Sequence, residues 1–152
     1  MKKLIDVYPY QFRNGEAEFL ILKRSATKIY AGQWRMIGGK VQKGETSWQA
    51  GLRELKEETS VTPCTYWVIP SVNKFYEANS DCIHHIPAFA AEVDEAAQIT
   101  LDDEHSGHKW ITIQDVESYI KWPEQRRLIR MAHEILTDSN QQILPEWIIE
   151  PD

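Results

Sequence analysis

The chain predicts a mixed α/β (α+β) sandwich built as one domain over residues 1–152. Three observations lead there. Several strand-like segments precede the first helical stretch, more follow it, and a late amphipathic stretch opened by Pro123 closes the pattern. A chain of 152 residues with 42% hydrophobic content suffices for one globular domain with a substantial core.

The elements follow in order. Leu4 to Phe12 reads as a strand, with Pro9 marking an edge or a bulge. Asn14-Gly15 is a hairpin turn signal, so Ala17 to Leu22 returns beside the first strand. Lys23 to Gln33 is a polar connection into a short strand, Trp34 to Ile37. Thr46 followed by Gln49 reads as a capping box, which starts a helix near Ser47. Trp48, Leu52 and Leu55 form its core stripe. Val61 to Ile69 is a strand with Pro63 near its start. Val72 to Glu77 and Cys82 to Val93 flank a turn at Ala78 to Asp81 as a second hairpin. His108 to Ile113 is another strand, and a short helix begins within Thr112 to Ile120. Pro123 suits a helix N-terminus, and Leu128, Met131, Ala132 and Ile135 carry that helix's stripe. Ile143 to Ile149 is apolar after a polar break and docks either on the core or on a second copy, giving a homodimer.

The formal net charge of −6 excludes a general nucleic-acid binder, which needs a basic surface. Cys64 and Cys82 lie in no ligand motif and are expected as buried thiols, with a reducing cytoplasm as the compartment. Lys2 and Lys3 are followed by no apolar run, so neither a signal peptide nor a membrane span is expected.

The stretch from Gly38 to Val61 carries the chemistry. A glycine-bearing loop enters a helix that sets Glu54 beside Glu57 and Glu58, because residues three and four apart share a face. Arg53 lies one turn before Glu57 and is placed to pair with it. Like charges at this spacing repel, and they gain most by binding a divalent cation. Hard oxygen ligands select Mg²⁺, Mn²⁺ or Ca²⁺ over soft metals. Without the loop, the same acids would read as an ordinary solvated face.

Gly39, Glu45, Arg53, Glu54, Leu55, Glu57, Glu58 and Val61 stand in the register of the Nudix box, and the chain resembles the Nudix hydrolase family. Ser60 departs from it, standing where the family usually has a glycine that closes the helix in a tight turn. The resemblance implies an α/β/α sandwich with a mixed central sheet and the box as loop-helix-loop. It also implies Mg²⁺, with Mn²⁺ as a substitute, held by Glu54, Glu57, Glu58 and the Gly39 carbonyl, and a supporting Glu45–Arg53 pair that orients loop and helix. Glu54 is one candidate for the base that takes a proton from water. Many family members add an acid outside the box, and Glu104 is the choice here. His105 beside it either assists or is simply a turn residue, and the turn reading is favoured. Either His84 or His85 faces the core or the cleft.

Arg24, Arg35 and Lys40 are candidates for phosphate contacts, and each is also readable as a surface charge. Trp34, Tyr76 and Trp122 are candidate platforms for an organic group. Gly32-Gln33-Trp34, Glu104-His105 with Lys109-Trp110, and Trp122 with Gln125-Arg126 resemble the bacterial dATP pyrophosphohydrolase and dihydroneopterin triphosphate pyrophosphatase group. That implies a nucleoside or pterin triphosphate substrate, cleaved to monophosphate and pyrophosphate, with no nucleic-acid polymer and no membrane as partner. Two alternatives remain: a non-catalytic nucleotide sensor, and an isomerase of the isopentenyl-diphosphate type, for which neither cysteine has the required acidic setting.

Overall fold

A computed structural model of the chain describes residues 3–140 and 142–151. The order is β1 (Leu4–Arg13), β2 (Glu16–Arg24), β3 (Trp34–Arg35), β4 (Ile37–Lys40), α1 (Ser47–Thr59), β5 (Thr65–Glu77), β6 (Cys82–Glu92), β7 (His105–Ile111), α2 (Val116–Tyr119) and α3 (Pro123–Thr137). All the strands belong to one mixed sheet whose main path runs β3-β2-β1-β6-β5.

Strand alternation sorts the core into two layers. Ile5, Val7, Leu20 and Leu22 face α1, where Ala50 and Leu55 meet them. Tyr8, Tyr10, Phe19 and Ile21 face the other way, onto Leu128, Ile129, Ala132 and Ile135 of α3. Each large side chain so buried contributes about 1.5–3 kcal/mol, and a charge at Leu128 would undo the α3 face.

β1 splits the sheet at its middle. It pairs with β2 only from Tyr10↔Phe19 to Arg13↔Glu16 and with β4 only from Leu4↔Lys40 to Val7↔Ile37. The β3–β4 segment fills the wedge between the diverging strands. Pro9 sits where one ladder has stopped and the other has not begun. It is therefore tolerated in the middle of the sheet, not at the edge or bulge expected of it. Asn14 and Gly15 both have positive φ, 52° and 79°, as a type I′ hairpin turn requires.

α1 begins at the expected capping box: Gln49 N–H donates to Thr46 Oγ1, and Gln49 Oε1 accepts from Thr46 N–H. It ends on Ser60, left-handed at φ 67°, whose N–H reaches the Lys56 carbonyl at 2.9 Å. Gly51 in mid-helix has a packing reason, since a Cβ there would overlap the Tyr66 hydroxyl. That hydroxyl donates to the Trp48 carbonyl at 2.9 Å.

The structure differs from the sequence reading in several places. The segments 61–69 and 72–77 are not two strands: β5 is continuous, with a register shift between Val68 and Val72 absorbing the break. β7 starts at His105, three residues early, because its ladder with β2 extends to Arg24↔His105. Cys64 is exposed and Cys82 half-buried, both free; they sit in the loop entering β5 and at the first residue of β6, not in the core. The 143–149 segment turns back onto its own chain. Trp147 stacks on Trp67 with centroids 6.4 Å apart, and Ile149 N–H donates to the Tyr66 carbonyl at 2.8 Å. Among the described residues, no helix is long and apolar enough to cross a membrane.

Candidate active site

The wedge between β1 and β2 opens into a cleft of about 660 Å³. α1 supplies Glu54 and Glu58, the β4 segment supplies Gly38, Gly39 and Lys40, the loop before β7 supplies Glu104, and β7 opens with His105. Arg24 ends β2 and Arg35 ends β3, and both line the same cleft. An inner chamber of about 200 Å³ adjoins it, walled by Tyr30, Phe75, His84 and Trp122. A separate apolar hollow of about 540 Å³ lies between α1 and the C-terminal segment, with Glu150 its one acid among the described residues.

Arg53 organises the α1 end. Its guanidinium donates to Glu45 at 2.7 Å, Glu54 at 2.7 Å, Glu57 at 3.2 Å and the Lys40 carbonyl at 2.8 Å. The helix, the loop and the β4 end are thereby held as one body, with Glu45 and Arg53 paired as expected. Partners of this kind fix the orientation of functional groups. The bond from Arg53, then one from Gln42 N–H, lower the Glu45 pKa. Arg53 itself is raised, Glu45 being the first cause.

Glu54 lies against Gly39 so closely that a Cβ on Gly39 would overlap its carboxyl group. Only glycine leaves room for that carboxylate. The acids of α1 are not all a solvated face: Glu58 is 2% exposed. Its Oε2 is buried with no hydrogen-bond partner among the described residues. Burial, then its contact with Glu54, then the charges of Asp102 and Glu104 push its pKa up to about 10.

His105 is also not the turn residue expected. It is 7% exposed, with Nδ1 2.8 Å from Asp102 Oδ1 and Nε2 3.4 Å from Glu58 Oε1. The Asp102–Glu104 stretch looks polar in sequence, but the chain dives inward immediately after it. Glu104 is half-exposed, with a carboxylate oxygen 3.8 Å from Arg24 Nη1.

The cleft therefore gathers Arg24, Arg35, Gly39, Lys40, Glu54, Glu58 and Glu104. It does not gather Glu57, which stays exposed and paired to Arg53. Nor does it gather Trp34, whose ring packs edge-on against Tyr119 at 5.9 Å and against the α3-side core. Tyr76 is likewise outside and bonds Asp81 at 2.8 Å. Asp6, Gln125 and Tyr30 line the cleft and Asn73 the inner chamber, and none of them was singled out for it from the sequence. A polar Asp6 inside an apolar strand was the available signal for the first.

Among the described residues, no three acids or histidines already stand in a ligating arrangement; Arg53 holds Glu54 and Arg24 holds Glu104. The donor chemistry nonetheless fits a hard divalent cation. A buried carboxylate oxygen without a partner, pressed against a second carboxylate, gains from a positive charge between them.

A family model described as the NUDIX domain matches residues 5–132. The asymmetrical bis(5′-nucleosyl)-tetraphosphatase of Caenorhabditis elegans is 28% identical over 123 residues, 80% of this chain and 86% of that protein. The nucleoside triphosphatase NudI of Klebsiella pneumoniae (strain 342) is 24% identical over 112 residues, 68% of this chain and 79% of that protein. The crystal structure of a C. elegans Ap4A hydrolase binary complex superposes with a TM-score of 0.75 at 23% identity, covering 90% of this chain and 98% of that one.

Proposed function

The chain belongs to the Nudix hydrolase family, and from that premise we propose that it is a Mg²⁺-dependent pyrophosphohydrolase. Its substrate is a nucleoside triphosphate or a related compound with a linked diphosphate, with dATP and dihydroneopterin triphosphate as the first candidates. Water attacks phosphorus, giving a monophosphate and pyrophosphate. The observation that carries this reading is the orphaned, buried Glu58 carboxylate set against Glu54 in a cleft rimmed by Arg24, Arg35 and Lys40.

Each residue has a task in that chemistry. Glu54 and Glu58, with the Gly39 carbonyl, would hold Mg²⁺, and Glu104 and Glu57 would join them after turning from Arg24 and Arg53. When bound, Mg²⁺ neutralises phosphate charge and makes a water more acidic. Arg24, Arg35 and Lys40 hold the phosphate chain in line. Glu54 takes the proton of the attacking water. Arg53 and Glu45 keep the α1 carboxylates aimed at the cleft.

The test is a panel of nucleoside and pterin triphosphates incubated with Mg²⁺ or with EDTA, scored for pyrophosphate and orthophosphate. Mg²⁺-dependent pyrophosphate release is expected. Orthophosphate as the first product, or no product from any triphosphate of the panel, would overturn the reading.

A further inference from the structure

Three side chains from distant parts of the chain meet at the inner end of the cleft. Asp6 of β1, Asn73 of β5 and Gln125 of α3 are 5%, 2% and 4% exposed. Asp6 Oδ2 accepts from Asn73 Nδ2 at 2.9 Å, from the Tyr8 hydroxyl at 3.0 Å and from Gln125 Nε2 at 3.4 Å. The far ends of both amides are also tied. Asn73 Oδ1 accepts from Trp122 Nε1 at 3.2 Å, and Gln125 Oε1 accepts from Met36 N–H at 3.2 Å. Neither amide can turn over without losing partners at both ends, so the polarity of the cluster is set.

The other carboxylate oxygen, Asp6 Oδ1, has no donor among the described residues. It is also left uncovered. Gly38 stands directly opposite Asp6 in the β1–β4 ladder, and a Cβ there would lie 3.5 Å from Oδ1. Asp6 lines both the outer cleft and the inner chamber. An acceptor left open to the chamber is free to take a donor from a ligand; burial raises the Asp6 pKa, and the bonds from Asn73, Tyr8 and Gln125 to Oδ2 oppose that rise. The chamber walls are flat and aromatic: Phe75 and Trp122 meet edge-on at 4.9 Å, and the Arg35 guanidinium lies 3.9 Å over the Tyr30 ring. At about 200 Å³ the chamber is smaller than the ~300–1,000 Å³ of a whole drug-sized ligand, so it takes a single ring system.

We infer that Asp6 is the specificity-determining residue of this site: its Oδ1 accepts an N–H donor on the edge of a purine or pteridine ring held between the aromatic walls, with the phosphates directed to Glu54 and Glu58. This rests on the triphosphate hydrolase reading for the outer cleft only.

The substitution Asp6→Asn tests it with a sign. The three donors require an oxygen at the Oδ2 position, so the new amide must place its NH₂ where Oδ1 stood and present a donor to the chamber. Gly38→Ala sets a methyl 3.5 Å from Oδ1, with 3.3 Å to the Ile5 carbonyl, and touches none of the three donors. The substrates are dATP, dGTP and the triphosphate of purine 2′-deoxyriboside, whose base carries no N–H. kcat/KM is measured with Mg²⁺ at pH 8.5, and calorimetric Kd is measured for the matching α,β-imido triphosphates. The wild type should prefer a donor-bearing base over the purine analogue by about tenfold or more. Asp6→Asn should bring that ratio to one or below, and Gly38→Ala should reduce it. An unchanged ratio in both variants, with turnover intact, overturns the inference and leaves the hydrolase reading standing. Selective binding that inverts in Asp6→Asn without turnover supports the inference and overturns the hydrolase reading. Neither binding nor turnover overturns both.

Discussion

Replacing Glu58 by glutamine should stabilise the metal-free protein and at the same time destroy its activity. Glu58 is pushed up to about 10 in the metal-free fold, from an ordinary value of 4.5, chiefly by burial and next by Glu54. Between those two values the folded chain keeps a proton that the unfolded chain has released. Wild-type stability therefore falls as pH rises through this window. At pH 8 the loss is on the order of 5 kcal/mol relative to the acid side of the window. Glutamine is neutral and of the same shape, and it escapes that loss. For a chain of this length 1 kcal/mol moves the melting temperature by about 2–4 °C. The assay is thermal unfolding in EDTA at pH 5 and pH 8. Glu58→Gln should melt about 10 °C above wild type at pH 8 and close to it at pH 5. Turnover with Mg²⁺ should fall by more than the ~10- to 100-fold typical of a supporting residue. A variant that melts below wild type at pH 8, or shows the same difference at both pH values, would refute the reasoning.

Three further substitutions probe the rest of the site. Gly39→Ala drives a Cβ into the Glu54 carboxyl group; turnover should drop about a hundredfold through misplacement of that acid, with circular dichroism unchanged. Arg53→Lys keeps the charge but loses the planar fork that reaches Glu45, Glu54 and the Lys40 carbonyl together; kcat should fall about 10- to 100-fold, and equal kcat in the two proteins would remove Arg53 from its positioning role. Ser60→Gly relieves a left-handed residue at φ 67°; urea unfolding should show a gain of about 0.5 kcal/mol with kcat unchanged, and a net loss would mean that the Ser60 hydroxyl bond to the Thr100 carbonyl outweighs the strain.

The parts of this fold that were legible in the sequence are those written in neighbouring residues. Thr46 and Gln49 announce the start of α1 because both halves of the capping box lie within one turn. Asn14-Gly15 announces the hairpin because those two residues reach positive φ. The Arg53 pairs with Glu45 and Glu57 were readable for the same reason, each lying within a turn or a short loop. What was not legible depends on distant segments meeting. Asp6, Asn73 and Gln125 form one cluster only because β1, β5 and α3 converge, and no local pattern joins them. The burial of Glu58 and His105 belongs to the same class: an acid on a charged helix and a histidine after three acids both read as solvated until the start of β7 sets His105 against Glu58. Trp34 shows the converse error. It adjoins the glycine loop in sequence, but β3 turns its ring toward Tyr119 and away from the cleft.

The most direct test is a crystal grown or soaked with Mg²⁺ and a nonhydrolysable triphosphate. A cation is expected about 2.0–2.1 Å from carboxylate oxygens of Glu54 and Glu58, with the phosphates beside it and the ring in the Asp6 chamber. A cation bound elsewhere, or those two carboxylates turned apart with no ion between them while the triphosphate is bound, would contradict it.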